Sequence, residues 1–283
     1  MTLLIKPQTK HIGFEVRRIL PSPQRWMVGP FIFLDHMGPA TFAPGTTEGD
    51  VRPHPHIGLA TVTWLFSGAF QHRDSLGVNQ RIDPGAVNLM IAGRGVVHSE
   101  RIPADIREQQ TPVEGIQLWL ALPVAHEEDA PGFRHYAELP LASGEGWQAR
   151  VLIGALAGVR SPVELPMDTL CVELQLAPGA RYSLPALAGE AALYLAHGDL
   201  AVDTEPLPHQ HLLVLDGPRE RLLTSAGGAR LMLVGGAPYA ERRHVVWNFV
   251  SSRPERIQQA QDDWQAQRFD PVPGETEFIP LPG

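Results

Sequence analysis

Cys171 is the only cysteine in the 283 residues, so no intrachain disulfide can form. Its setting, Leu170-Cys171-Val172, is apolar and marks a small core residue rather than a nucleophile. There is no clustered Lys/Arg tract, and the formal net charge is −8, which argues against an electrostatic surface for nucleic acid. No stretch approaches the roughly 18 apolar residues of a membrane span. Met1 to His11 lacks the apolar run of a secretory leader. The expected setting is a reducing cytoplasm, with no direct nucleic-acid partner and no membrane.

What the chain does have is turns. Its 27 glycines and 27 prolines punctuate a sequence that is 43% hydrophobic, a composition suited to many short strands around sizeable cores. Strands are expected at Trp26 to Leu34, Ala60 to Phe66, Val87 to Ile91 and Gly115 to Leu122. Asp35-His36-Met37-Gly38-Pro39 reads as a turn after the first of these. The length fits two domains of about 140 residues each.

The acidic, Pro- and Gly-bearing stretch Glu127-Glu128-Asp129-Ala130-Pro131-Gly132 suggests the boundary. We therefore expect an N-terminal barrel over 1–124, a linker over 125–146 and a C-terminal barrel over 147–283. Ala192 to Ala196 followed by His197-Gly198 echoes Val62 to Phe66 followed by Ser67-Gly68, as two diverged copies of one unit would. Near the end, Ser252 as N-cap, Pro254, Glu255 and the stripe Ile257, Ala260, Trp264 predict a short amphipathic helix bracing a barrel.

The chemistry concentrates in two short patterns, Pro53-His54-Pro55-His56 and His98-Ser99-Glu100. In an extended chain residues i and i+2 share a face about 6.6 Å apart, so each pair can pinch a cation placed between strands. His54, His56, His98 and Glu100 thus form a candidate ligand set for one divalent metal per chain. Three imidazoles and a carboxylate suit a borderline divalent metal such as Fe, Ni, Cu, Mn, Zn or Co, and leave an open shell for substrate or dioxygen. Laying Gly198 on Gly68 puts Leu184 and Ala186 where the first unit has His54 and His56, so the second unit is expected to hold no metal. His209-Gln210-His211 falls after that glycine, in turn-like sequence, and is read as surface. Asp35, His36, His72, Asp74 and Arg94 are candidates to orient the ligands. His72-Arg73-Asp74 reads more naturally as a solvated turn pairing its own charges.

Pro-His-Pro-His-Ile-Gly-Leu-Ala-Thr-Val-Thr-Trp from Pro53, His72-Arg73-Asp74-Ser75-Leu76-Gly77, and Ala92-Gly93-Arg94-Gly95-Val96-Val97-His98-Ser99-Glu100 closely resemble the pirin family of the cupin superfamily. So do Gly29-Pro30-Phe31 with Leu34-Asp35-His36-Met37-Gly38-Pro39, and Trp247-Asn248-Phe249-Val250-Ser251-Ser252. The resemblance covers nearly the whole chain. It implies an all-β bicupin with a mononuclear non-haem iron in the N-terminal barrel, held by the residues matching His54, His56, His98 and Glu100. It also implies quercetin 2,3-dioxygenase activity, the opening of a flavonol with dioxygen and release of carbon monoxide. One departure is Ala60, where many pirins carry a glutamate, which removes a pocket acid.

A redox metal that binds a deprotonated flavonol 3-hydroxyl can bring substrate and dioxygen together. Glu100 is the candidate base for the hydroxyl proton. The resemblance keeps a second class open, an iron-bearing, redox-sensing protein that regulates transcription factors or a metabolic enzyme through a protein partner. A third class is another metal enzyme of the cupin type, an oxygenase for a different phenol or a 2-oxoglutarate oxygenase, the last disfavoured because its triad takes two histidines and one carboxylate.

Overall fold

A computed structural model describes residues 3–282, and it is built almost wholly of β-strands, as expected of a bicupin. Two compact units divide it. One comprises the strand Leu3–Ile5 with residues 18–34 and 138–239; the other comprises residues 9–17, 35–137 and the chain from 240 onward.

In the second of these units, a four-stranded sheet has the order Val51–His56, Val96–Arg101, Phe70–Asp74, Asn79–Ile82. A larger sheet sets Gly132–Tyr136, Val87–Ile91, Leu59–Ser67 and Val113–Ala121 side by side. The other unit repeats the plan. Its four-stranded sheet runs Arg181–Leu184, Arg221–Thr224, Leu200–Val202, Glu205–Leu207, and its seven-stranded sheet centres on Glu190–Gly198, Ala229–Gly236 and Thr169–Leu176. Alternating residues such as Val172, Leu174, Leu193, Leu195, Leu231 and Leu233 point into a common apolar core. Cys171 is fully buried, and burial pushes its thiol pKa up, consistent with an inert core residue.

The division differs from one at 124 and 147 in three places, each with a packing reason. Leu3–Ile5 pairs with Leu212–Val214, which places the N-terminal strand in the sheet of the later unit. The helix Pro254–Gln265 packs in the metal-site unit instead, because Ile257, Ala260 and Trp264 bury against Ile57, Val97 and Phe249. The expected linker is structured. Gly132–Tyr136 pairs with Val87–Ile91, and Leu141–Gly144 pairs with Trp147–Ile153.

Glu127, from the acidic run, is 2% exposed; its carboxylate meets Arg243 at 3.0 Å and accepts from the Ser252 backbone N–H at 2.8 Å. The expected cap also moves. Arg253 takes the N-cap position without a side-chain cap, while Ser252 and Ser251 are held by Glu127. Another difference lies in Phe31–Ala40, a single buried strand that starts later than Trp26 and runs through the expected turn at Asp35 to Pro39. His36 is tolerated inside because Glu114 lies 3.1 Å from its Nε2. No helix among the described residues is long and apolar enough to cross a membrane.

Candidate metal centre

Strand geometry gathers the three histidines. Val51–His56 and Val96–Arg101 pair antiparallel with His54 opposite His98 and Val96 opposite His56, so all three rings face the same side. Their centroids lie 4.4 to 5.0 Å apart, and one nitrogen from each falls within 4.8 Å of the other two. The rings are 7%, 0% and 2% exposed for His54, His56 and His98. Gly58, two residues past His56, lets the chain from the tail close over the strand. It sits at φ +67°, and a Cβ there would lie 2.0 Å from the Val250 carbonyl oxygen.

Hydrogen placement then gives the cluster its chemistry. His54 Nδ1 lies 2.9 Å from the Arg52 carbonyl oxygen, and His56 Nδ1 lies 3.2 Å from that of Asn248. A carbonyl only accepts, so in both rings Nδ1 carries the hydrogen and Nε2 keeps its lone pair. His56 Nε2 and His98 Nε2 approach to 3.1 Å, a separation close to the roughly 2.9–3.4 Å between two nitrogens that share one ion at about 2.1 Å. Burial drives the pKa of His54 down to about 4, and burial with His54 as neighbour drives His56 and His98 well below the usual histidine value. Neutral imidazoles with converging lone pairs fit a divalent metal, which needs deprotonated donors and relieves the lone-pair contact.

Glu100 is 8% exposed on the same strand, two residues after His98, and burial lifts its carboxyl pKa to about 7. It stands outside the three-histidine group, and the strand pairing shifts register between His98 and Glu100. His72 and Asp74 are not a solvated turn. They lie in the strand Phe70–Asp74, 5% and 0% exposed, with His72 opposite Glu100 and Asp74 opposite His98. The residue between them, Arg73, points the other way, 3.8 Å from Glu275.

His36 pairs with Glu114 away from the three histidines, and Asp35 is buried on the same strand. Arg94 tethers its loop through the backbone: its N–H donates to Asp129 O at 2.9 Å and its carbonyl accepts from Arg256 at 2.7 Å. In the other unit, His209 Nε2 lies 2.8 Å from Ala196 O, and His211 Nδ1 lies 2.8 Å from His209 O.

The profile described as Pirin matches residues 13–120, and that described as Pirin C-terminal cupin domain matches residues 171–270. A pirin-like protein of Caulobacter vibrioides is 43% identical over 286 aligned positions, covering 99% of each chain. The chain belongs to the pirin family. A solved structure of quercetin 2,3-dioxygenase from Acinetobacter baumannii is 33% identical with a TM-score of 0.93, covering 100% of this chain and 95% of that one. A bacterial pirin from Escherichia coli, solved with nickel(II), shares the fold at 14% identity and a TM-score of 0.67, covering 84% and 100%.

In this pirin several residues that support the centre come from the tail and carry no ligand-type signature. Asn248 acts through its carbonyl on His56, and the Trp119 ring stands edge-on to His56 at 5.0 Å. Glu275 accepts from Ser99 Oγ at 2.6 Å and pairs with Arg101, gripping from behind the strand that bears His98 and Glu100. The Ile279 N–H donates to Pro53 O at 2.8 Å, beside His54. The Trp-Asn-Phe-Val-Ser-Ser motif was the only sequence signal for this arrangement, and its reason is visible only once the tail is folded back.

Proposed function

We propose that this pirin is a mononuclear metal-dependent dioxygenase of the quercetin 2,3-dioxygenase type, opening a flavonol with dioxygen and releasing carbon monoxide. The observation that carries the reading is the set of three buried imidazoles with one nitrogen of each converging on a single centre, two of them with their hydrogens turned outward to the Arg52 and Asn248 carbonyls. The 33% identity to a quercetin 2,3-dioxygenase over the full chain supports the substrate class. His54, His56 and His98 would hold the metal, with Glu100 as fourth ligand, and Fe(II) is the metal we favour. Such an ion supplies Lewis acidity toward the flavonol 3-hydroxyl and a redox partner for dioxygen.

The chain's own residues do the rest. The burial of the three rings keeps water and protons away from the donors. Glu100 accepts the 3-hydroxyl proton on the carboxylate oxygen not used in ligation; burial raises its proton affinity, and a cation beside it acts in the opposite sense. Dioxygen uptake and carbon monoxide release with quercetin test the reading on metal-loaded protein. Glu100→Gln is expected to keep metal and lower turnover by about 100-fold or more, the scale of a lost general base.

Metal-loaded protein without flavonol turnover, or Glu100→Gln at the wild-type rate, would replace this reading by that of a redox-sensing interaction protein. One observation favours that second reading: the tail touches both histidine-bearing strands through Asn248, Glu275 and Ile279, a path from the candidate site to the tail.

A further inference from the structure

His98 lacks what His54 and His56 have. Among the described residues no carbonyl faces its Nδ1, which lies instead 3.4 Å from the Nδ1 of His72. Two neutral imidazoles in contact leave the hydrogen undecided, since either ring can donate. If His72 donated, His98 would carry its hydrogen on Nε2 and could not offer that nitrogen to an ion.

Asp74 settles the direction. Its Oδ2 lies 3.0 Å from His72 Nε2, while its Oδ1 accepts the N–H groups of Leu76 at 2.9 Å and Val78 at 3.0 Å. A fully buried carboxylate surrounded by donors can only accept, so His72 carries its hydrogen on Nε2 and presents a bare Nδ1 to His98. His98 Nδ1 then has an acceptor in His72, and donating there, rather than from Nε2 to His56 Nε2 at 3.1 Å, leaves its Nε2 lone pair to join those of His54 and His56. The His72 ring is held in place by stacking on Phe133, with centroids 4.5 Å apart and planes at 23°. With Nε2 committed to Asp74 and Nδ1 to His98, His72 is not itself a donor to the centre.

We propose that Asp74 and His72 are positioning residues for metal binding, a two-step relay that gives His98 the hydrogen placement backbone carbonyls give His54 and His56. The inference rests on the reading of His98 as a ligand, and on hydrogen positions in neutral rings rather than on any titration.

Two measurements test it separately. In metal-stripped protein labelled with 15N-histidine, two-bond proton–nitrogen correlations report the tautomer of each ring; His98 is expected as the Nδ1–H form and His72 as the Nε2–H form. Asp74→Asn retains an oxygen for Leu76 and Val78 but turns an NH2 toward His72, which should reverse both tautomers. Zn(II) affinity, read by chelator competition, should then fall about 10- to 100-fold, the usual cost of losing a partner behind a ligand. His72→Phe keeps the stack but removes the acceptor and should fall by the same factor. His72→Asn in the Asp74→Asn background places an amide oxygen before His98 Nδ1 and should recover most of the affinity, a rescue that a merely structural role would not give. Wild-type His98 found with its hydrogen on Nε2, or Asp74→Asn binding Zn(II) as tightly as wild type, would overturn the relay. A wild-type protein that binds no Zn(II) sinks the ligand reading instead, and the tautomer measurement still decides the relay.

Discussion

The two barrels solve the same packing problem with opposite chemistry. At corresponding places in the four-stranded sheets, one pairs Val51–His56 with Val96–Arg101 and the other pairs Arg181–Leu184 with Arg221–Thr224. Where the first turns His54, His56 and His98 inward, the second turns in Tyr182, Leu184 and Leu223, all part of its apolar core. Its one buried charge on these strands, Arg221, is tied to Asp203 at 3.0 Å and to Asp216. A buried leucine contributes about 1.5–3 kcal/mol, whereas a buried neutral imidazole contributes less and creates a site that acid can attack. One barrel is thus a finished apolar core, and the other carries three converging imidazole nitrogens at the same places.

The sharpest way to break that comparison is to delete histidines on each side. His98→Ala should lower bound metal from near one ion per chain toward zero with the fold retained, read by elemental analysis and circular dichroism. His209→Ala with His211→Ala in the other barrel should leave the stoichiometry unchanged. Full occupancy in the first, or a loss in the second, would reverse the assignment of the two halves.

A smaller but still large effect is expected from Glu127→Ala. It strands Arg243, which is 1% exposed, and releases the Ser251–Ser252 backbone, so stability should fall by about 3–5 kcal/mol in denaturant titrations. Leu184→His places an inward imidazole at the corresponding position of the apolar barrel. About 3 kcal/mol should be lost and no second ion gained; a second ion would show that an inward imidazole suffices by itself.

The last test is of pH on metal-stripped protein. The folded pKa of His54, held near 4 by burial, is below the unfolded 6.5, so the unfolded chain binds the extra proton between those values. That stability is present above pH 6.5 and is lost as the pH falls toward 4. At pH 5 the loss from this one residue is about 2 kcal/mol, and a His54→Leu variant should lack it in paired thermal melts. Glu100 works in the opposite sense, since its raised pKa makes the folded state bind the extra proton from 4.5 to about 7, and Glu100→Gln isolates the histidine effect.

Much of this was open to reading from residue order. Alternation and turns placed Val87 to Ile91 as the structure has it, and Ala60 to Phe66 to within a residue at each end. The same period of two brought His54, His56 and His98 to one face. Polarity misled the reading where distant partners satisfy it. Glu127 looked like linker because Arg243 and Ser252 are more than a hundred residues away, and Asp35 and His36 looked like a turn because Glu114 was not in view. His72 and Asp74 do pair with each other, and looked solvated only because the strand that lies beside them, with Glu100 and His98 opposite, was not in view.

What the sequence by itself determined is whatever depends on local period and residue chemistry: a chain of strands, paired histidines two residues apart, and a second copy of the unit with leucine where histidine would stand. What only the tertiary structure decided is where each ring hydrogen goes and what lies behind each ligand. Those depend on the Arg52 and Asn248 carbonyls, on the buried Asp74 carboxylate, and on a tail whose Glu275 and Ile279 reach strands far upstream. A backbone carbonyl has no residue identity, so its direction follows from the fold alone, and that direction orients two of the three histidines as donors.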